Sequence, residues 1–189
     1  MTVPDSVLAS VYNSQPADWR QHENGKGWIY KTAHVDATVY LHRASIVYGN
    51  ARVYGNARVY GNARVYGNAL VYGDARVYGT ARVSGDALVY GNARVYGNAR
   101  VSGNAQVSGN AQVYGDAWVS SPLYIQGTRH AVTLCSHKQI AIGCHIHDIS
   151  EWQKHYRAIG KKEGYTFEQI AEYRAYINLC AKTAKQFAK

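Results

Sequence analysis

Valine recurs through the middle of the chain, at thirteen consecutive sixth positions from Val47 to Val119. Each complete hexad reads Val, then Tyr or Ser, then Gly, then Asn, Asp or Thr, then Ala, then one of Arg, Leu, Gln and Trp. Ala-x-Val has a period of two, so alanine and valine point to one side of a short strand and their neighbours to the other. Gly followed by Asn or Asp predicts a turn. The pattern therefore predicts a solenoid whose interior is a stack of valine and alanine.

The same phase extends beyond the regular hexads, backward to Ile29 and forward to Ile125. An open coil end exposes unpaired strand edges, so each end of such a rod needs a cap. We therefore divide the chain into an irregular N-terminal cap (1–26), a repeat rod (27–127) and a C-terminal module (128–189).

The C-terminal module follows a different pattern. Two apolar runs, 131–135 and 140–144, flank a polar linker and predict a β-hairpin. Two helices should follow, each opened by a capping box, at residues 150–153 and 166–169. The second helix has an apolar stripe at helical spacing, formed by Phe167, Ile170, Tyr173, Ile177, Cys180, Ala184 and Phe187.

The hexads between Val47 and Val119 closely resemble those of the hexapeptide-repeat, left-handed β-helix family. In that family an aliphatic residue and a small residue four positions later fill a triangular prism, with three hexads to a coil. The resemblance implies an all-β solenoid, a left-handed parallel β-helix, to which the predicted helices add a small α-helical C-terminal cap. It implies no single function, because acyltransferases, carbonic anhydrases and plain scaffolds share the prism.

A second resemblance concerns the ends of the rod. Residues 142–147, Trp152 and residues 163–166 resemble a C-terminal module attached to hexapeptide rods encoded by phages and prophages, and residues 24–29 resemble the rod entrance of the same proteins. This implies a phage-type protein in the host cytoplasm. Some phage proteins of other folds sequester nucleotide signals of bacterial immunity, which suggests an anti-defence role by analogy.

Three hexads to a coil would place residues 18 positions apart above one another, at about 4.8 Å, the spacing of neighbouring strands. The outward residues then sort into three faces. The first face carries Arg52, Leu70, Leu88 and Gln106 beside Tyr54, Tyr72, Tyr90 and Ser108, and as the least charged it is our candidate for subunit packing. The second face carries Arg58, Arg76, Arg94 and Gln112 beside Tyr60, Tyr78, Tyr96 and Tyr114. The third face carries Arg64, Arg82, Arg100 and Trp118 beside Tyr66, Ser84, Ser102 and Ser120.

The charge of the chain favours an anionic partner. The sequence holds 21 lysine and arginine residues against 12 aspartate and glutamate residues, for a formal net charge of +9. Like charges that face each other across strands are unfavourable unless an anion, an aromatic ring or a neighbouring subunit compensates them. The alternative interpretation is that the hexads arose by duplication, and that the arginine and tyrosine columns only keep the rod soluble.

The combination of guanidinium groups and aromatic rings predicts a site for phosphate and base, because arginine pairs bidentately with phosphate and aromatic rings stack on nucleobases. The predicted ligand-binding residues are Arg58, Arg76, Arg94, Tyr60, Tyr78, Tyr96, Arg64, Arg82, Arg100 and Trp118. A compact anion such as a nucleotide is expected rather than a long nucleic acid, whose B-form repeat of about 3.4 Å is out of step with strands about 4.8 Å apart. A homotrimer, which the family resemblance implies, would create three equivalent clefts for it.

The sequence favours a non-catalytic protein with no cofactor and no membrane partner. Enzymes of this family rely on histidine, and the carbonic anhydrases take theirs from the coils, whereas all eight histidines lie outside residues 47–119. A CoA-dependent acyltransferase and a structural phage component without ligand stay open as alternatives. A zinc site at Cys135, Cys144, His145 and His147 also stays open, although the spacing departs from common zinc patterns. The sequence has no apolar run long enough to span a bilayer and no signal peptide at its start.

Overall fold

The computed structural model describes residues 2–115, 117–118 and 121–187, except for the side chains of Ala117 and Phe187. The chain divides into two compact units. The first comprises Met1–Asn110 and Tyr114–Ser121, and the second comprises Ala111–Val113 and Pro122–Lys189.

The first unit opens with an ordered N-terminal segment, where the sequence predicts an irregular cap. Helix α1 (Asp5–Leu8) and a 3-10 turn (Pro16–Asp18) precede strand β1 (Trp19–Gln21), which pairs antiparallel with β2 (Trp28–Tyr30). A buried cluster joins this segment to the first coil and consists of Val3, Val7, Trp19, Trp28 and Ile46. The apolar residues of the segment therefore cover the start of the rod.

The rod is built from three parallel sheets of very short strands. One sheet continues from β1 and β2 through β5 (Ile46–Val47), β8 (Arg64–Val65), β11 (Arg82–Val83), β14 (Arg100–Val101) and β17 (Ala117–Trp118). The second consists of β3 (His34–Val35), β6 (Arg52–Val53), β9 (Leu70–Val71), β12 (Leu88–Val89) and β15 (Gln106–Val107). The third contains β4 (Tyr40–Leu41), β7 (Arg58–Val59), β10 (Arg76–Val77) and β13 (Arg94–Tyr96). Strand β16 (Gln112–Tyr114) spans the boundary between the two units.

The interior of the rod is the predicted stack of small and branched side chains. Every repeat alanine and valine from Ala51 to Val107 is fully shielded from solvent. Ser45 occupies an alanine slot, and its hydroxyl donates to the carbonyl oxygens of Val59 and Gly61 at 3.2 Å each. Because the slot is buried, those hydrogen bonds satisfy a hydroxyl that would otherwise destabilise the core.

The strands lie in the register that the sequence predicts, with residues 18 positions apart as neighbours. Arg76 pairs with Arg58 on one side and with Arg94 on the other. The corners repeat the same register, since the side-chain amide of Asn68 donates to the carboxylate of Asp86 at 3.0 Å. The prediction of aligned columns is therefore confirmed.

The register slips by one residue at the last strand of the longest sheet. Arg100 pairs with Ala117, and Val101 pairs with Trp118. A slip of one residue moves a side chain to the opposite face of a strand. Trp118 is accordingly buried, with 1% of its surface exposed, and the prediction that it points outward on the third face is wrong.

The second unit contains a four-stranded antiparallel sheet in the order β18 (Tyr124–Gln126), β19 (Ala131–Leu134), β20 (Gln139–Ile142) and β21 (His145–Asp148). The central pair is the predicted hairpin, with Leu134 opposite Ile140. The two outer strands were not expected from the sequence.

Two helices follow the sheet, as predicted. Helix α2 (Ile149–Lys162) begins one residue before the predicted capping box, with Asp148 at the N-cap position and no side-chain cap. Helix α3 (Phe167–Phe187) has the predicted box: Thr166 and Gln169 each accept the other's backbone N–H, at 3.2 and 3.0 Å.

The apolar stripe of α3 is buried over most of its length. Tyr173, Ile177, Cys180 and Ala184 are all buried. Phe167 is 82% exposed, so its place in the stripe is wrong, and the side chain of Phe187 lies outside the described residues. The chain is thus a parallel β-solenoid of about five turns with C-terminal helices.

Candidate functional site

The second face of the rod presents a column of three arginines. Strands β7, β10 and β13 carry Arg58, Arg76 and Arg94 in direct register, and all three side chains are exposed. Neighbouring strands are about 4.8 Å apart, so the Cα atoms of these arginines repeat at roughly that interval. Within the described part of the chain, none of the three has a carboxylate oxygen within 4.0 Å. Among the described residues, the column is therefore a row of like charges in which no arginine forms an ion pair with a carboxylate.

A cleft of about 500 Å³ lies at the start of this column. Its lining residues are Asn24, Thr38, Tyr40, Asn56, Arg58, Asp74 and Arg76. The carboxylate of Asp74 accepts a hydrogen bond from the side-chain amide of Asn56 at 3.4 Å. The cleft thus brings together two guanidinium groups, one carboxylate and several neutral hydrogen-bonding groups.

Most of the cleft was missed by the sequence analysis, although a signal for it existed. Tyr40 lies 18 residues before Arg58 and therefore occupies the arginine slot of the preceding coil. Asn56 and Asp74 are likewise 18 residues apart, in the corner slot that precedes the arginine strands. Asn24 could not have been placed, because it lies outside the repeat.

The tyrosines beside this column stack on one another. The rings of Tyr60 and Tyr78 have centroids 4.8 Å apart and planes 2° apart, and those of Tyr78 and Tyr96 are 5.1 Å and 8° apart. Tyr78 therefore has no ring face left for a nucleobase. Burial, reinforced by the neighbouring Tyr60, raises the pKa of the Tyr78 hydroxyl, so this group is neutral at neutral pH. The column offers hydroxyl groups and ring edges to a ligand.

The third face presents a second arginine column, in which Arg82 pairs with Arg64 and with Arg100. Arg82 and Arg100 are exposed, whereas Arg64 is half-buried. Burial raises the pKa of the Tyr48 hydroxyl, and the nearby Tyr66 acts in the same direction. The structure thus brings together the predicted arginines of the third face but not Trp118.

On the third face only two of the described tyrosines of the column stack on each other. The rings of Tyr48 and Tyr66 are 4.8 Å apart at centroid and 4° from parallel. The next two positions of the column hold Ser84 and Ser102 instead of tyrosine. The aromatic column therefore ends at Tyr66, while the arginine column beside it continues.

The first face differs from the other two in charge. Arg52 pairs with Leu70, and Leu70 pairs with Leu88, so no arginine column forms there. Tyr72 and Tyr90 stack at 5.0 Å, as on the other faces.

The described cysteines and histidines of the second unit are not clustered as a metal site would require. Among the described residues, no group of three or more histidine, cysteine, aspartate or glutamate side chains is placed to hold a metal ion. Cys135 is buried and Cys144 is exposed. His145 lies 3.3 Å from the carboxylate of Glu163, and the ring of His147 packs edge-on against Trp152.

Comparison with known families supports the fold of the rod. The family described as the YdcK beta solenoid repeat matches six segments, namely residues 47–61, 51–67, 57–73, 81–95, 93–109 and 105–121. These segments cover the regular hexads except for residues 74–80 and are similar to repeats of that family. No curated protein and no solved structure matches the chain. Within the described residues, no helix has the length and apolar character that crossing a bilayer requires.

Proposed function

We propose that this protein is a non-catalytic binding protein that sequesters a small anionic ligand, a nucleotide, on the arginine columns of its second and third faces. The observation that carries the proposal is the alignment of Arg58, Arg76 and Arg94 without a carboxylate within 4.0 Å among the described residues. Like charges directly opposite each other across strands destabilise a sheet. A bound phosphate converts that repulsion into charge-assisted hydrogen bonds.

The cleft of the second face supplies groups for both parts of a nucleotide. Arg58 and Arg76 donate paired N–H groups to phosphate oxygens, which suits the planar fork of guanidinium. The carboxylate of Asp74 accepts hydrogen bonds and binds the hydroxyl groups of a ribose. The ligand class is therefore a phosphate ester that also carries hydroxyl donors.

Sequestration fits this cleft better than catalysis does. Its described lining residues include neither histidine nor cysteine, the groups that most often act as general base or nucleophile. A protein that only holds its ligand needs charge and shape complementarity, which arginine columns provide.

The proposal extends to the assembly and setting of the protein. The coil is left-handed, as in the hexapeptide-repeat family, and three copies form a homotrimer in which the arginine columns line equivalent clefts. The protein is phage-encoded and acts in the host cytoplasm, where it withdraws a nucleotide signal of bacterial immunity. Repetition of the hexads and the resemblance of both ends to phage-encoded rods support these points.

Isothermal titration calorimetry with a panel of linear and cyclic nucleotides tests the proposal. We expect at least one nucleotide to bind, and Arg76→Ala to weaken its binding about tenfold or more, because a hydrogen bond to a charged group contributes about 1.5–3 kcal/mol. Affinity should also fall as salt concentration rises.

Arg52→Ala is the matched control. Like Arg76, Arg52 is exposed and lies on a two-residue strand, but its neighbour is Leu70 and it belongs to no arginine column. We expect it to leave affinity nearly unchanged. The absence of binding across the panel, or equal losses in Arg52→Ala and Arg76→Ala, would overturn the proposal.

A further inference from the structure

The third face holds an aromatic column that stops while its neighbouring arginine column continues. Tyr48 covers one face of the Tyr66 ring, at a centroid distance of 4.8 Å. The next position above Tyr66 belongs to Ser84, whose side chain has no ring. The outer face of Tyr66 is therefore left without the stacking partner that the repeat supplies elsewhere.

The hollow above Tyr66 has the height of an aromatic ring. Successive positions of the column are one strand apart, about 4.8 Å, and aromatic rings stack favourably at centroid distances of about 4.5–7 Å. A planar ring placed over Ser84 therefore continues the column in the geometry that Tyr48 and Tyr66 already have. Ser102 leaves the following position equally open.

The charges beside the hollow suit a phosphorylated ligand. Arg82 and Arg100 are exposed and pair in register, two residues before Ser84 and Ser102 on the same face of their strands. Arg64 is half-buried, in contrast to these two arginines. The two arginines that flank the hollow are therefore the ones available to an anion.

We infer that the hollow defined by Tyr66, Ser84, Ser102, Arg82 and Arg100 is a recognition site for a heteroaromatic ring that carries phosphate. The nucleobase stacks on Tyr66 above Ser84, and Arg82 and Arg100 bind the phosphate groups. This inference rests on the proposed function and assigns base recognition to one place on the rod.

The other two faces lack this combination. On the second face the tyrosine column continues past Tyr78, and Tyr96 occupies the position that would receive a base. On the first face Tyr90 is also followed by a serine, Ser108, but Leu88 and Gln106 flank it instead of arginines. The second face therefore has arginines for phosphate but no open position for a stacked base. The first face has an open position for a base but no arginines beside it.

Calorimetric titration with ATP and with ribose 5-triphosphate (hereafter triphosphate), which has the sugar and the phosphates but no base, separates ring recognition from anion binding and from the ribose contact of Asp74. We expect ATP to bind about tenfold or more tightly than triphosphate, because stacking of one base on an aromatic side chain contributes about 1–3 kcal/mol. Ser84→Tyr fills the hollow with the residue that the repeat carries at Tyr66. It should remove the preference for ATP while triphosphate binding persists.

Ser108→Tyr is the matched control, because it adds the same ring above Tyr90 on the face without an arginine column. It should retain the preference for ATP. Tyr66→Leu removes the stacking platform without filling the hollow and should abolish the preference as Ser84→Tyr does, which guards against a folding defect in either variant.

The outcomes distinguish this inference from the proposed function. Equal affinity for ATP and triphosphate in the unmodified protein overturns the ring site but leaves anion binding intact. Persistence of the ATP preference in folded Ser84→Tyr also overturns it. If neither ATP nor triphosphate binds, and no other nucleotide does, both proposals fail.

Discussion

At the scale of the residue, two features of the corners favour glycine: a positive φ and the close approach of the next coil. Gly79 has a φ of +74°, in the left-handed region that favours glycine, and a Cβ built on it would lie 2.8 Å from the carbonyl oxygen of Gly97 in the next coil. Gly55 has a similar φ of +65°, but its Cβ would lie 3.3 Å from the nearest atom of Gly73. Both glycines avoid backbone strain, and Gly79 in addition permits close approach of two coils.

We expect Gly79→Ala to lower the free energy of unfolding by about 2 kcal/mol or more, because backbone strain adds to the clash with Gly97. Gly55→Ala is the control and should cost about 1 kcal/mol less, since it introduces the strain with little clash. Urea unfolding measures both changes. Equal losses in the two variants would show that the close approach of the coils contributes nothing.

A second prediction at this scale concerns the buried thiol of α3. Burial, with a smaller contribution from Cys135, raises the pKa of Cys180 from 9.0 to about 12. Above about pH 9 the unfolded chain releases this proton, whereas the folded protein retains it. The stabilisation is therefore complete below pH 9 and is lost as the pH rises through 12.

Urea unfolding followed by the helical circular dichroism signal at several pH values tests this. We expect stability to fall between pH 9 and pH 12 and Cys180→Ala to flatten that decline. Cys144→Ala, at an exposed position, should leave the slope unchanged. A decline as steep in Cys180→Ala as in the unmodified protein would assign the effect to other groups.

The outward residues were only partly predictable from the sequence. The columns of Arg58, Arg76 and Arg94 follow directly from the period, because vertical neighbours are fixed by counting. The inward turn of Trp118 does not follow, because the hexad pattern continues through Val119 in the sequence whereas the strand register slips at β17. Nor does the pattern reveal that Tyr78 is covered on both faces, since side-chain rotamers decide that.

At the scale of the element, the start of each helix was predicted with different success. Thr166 follows Gly164 and Tyr165 in a segment that belongs to no strand, and its box with Gln169 forms as expected. Ser150 has the same signature but follows directly on β21, and the strand passes into α2 at Asp148. Strand β18 was missed because the hexad phase continues to Ile125 and assigned that segment to the rod, and β21 because the apolar runs that predict the hairpin end before it.

The two candidate caps give a matched pair of variants. Thr166→Ala removes a hydroxyl that accepts the N–H of Gln169, and we expect it to destabilise the protein by about 1 kcal/mol. Ser150→Ala should be nearly neutral, because the structure begins α2 at Ile149 instead. Urea unfolding of both variants measures the difference. An equal or larger loss in Ser150→Ala would contradict the observed start of α2.

At the scale of the whole molecule, the solenoid could be predicted because one six-residue rule governs so much of the chain. A mixed core would require side chains from distant segments to be matched, whereas here each valine and alanine meets its counterparts one coil away. The same rule also repeats charged positions, so arginines lie directly over arginines in neighbouring coils and repel one another.

The arginine columns should make the ligand-free rod more stable as salt is added. Screening weakens repulsion between Arg76 and its two neighbours, each pair being worth about 0.2–1 kcal/mol. We therefore expect the Tm to rise with sodium chloride, and Arg76→Gln to melt higher than the unmodified protein at low salt but equally at about 1 M salt. Arg52→Gln should show no such gain. A Tm that falls with salt would contradict uncompensated repulsion in the columns.

Vertical neighbours in the rod are 18 residues apart, and this separation limits how a gene for such a protein can lengthen or shorten. Loss or duplication of 18 residues removes or adds one complete coil, and every remaining residue stays on its original face. Loss of a single hexad instead moves each later residue to the adjacent face, so that some arginines come to lie over leucines. If a ligand-binding site on one face is to be kept, the number of hexads should therefore change in blocks of three.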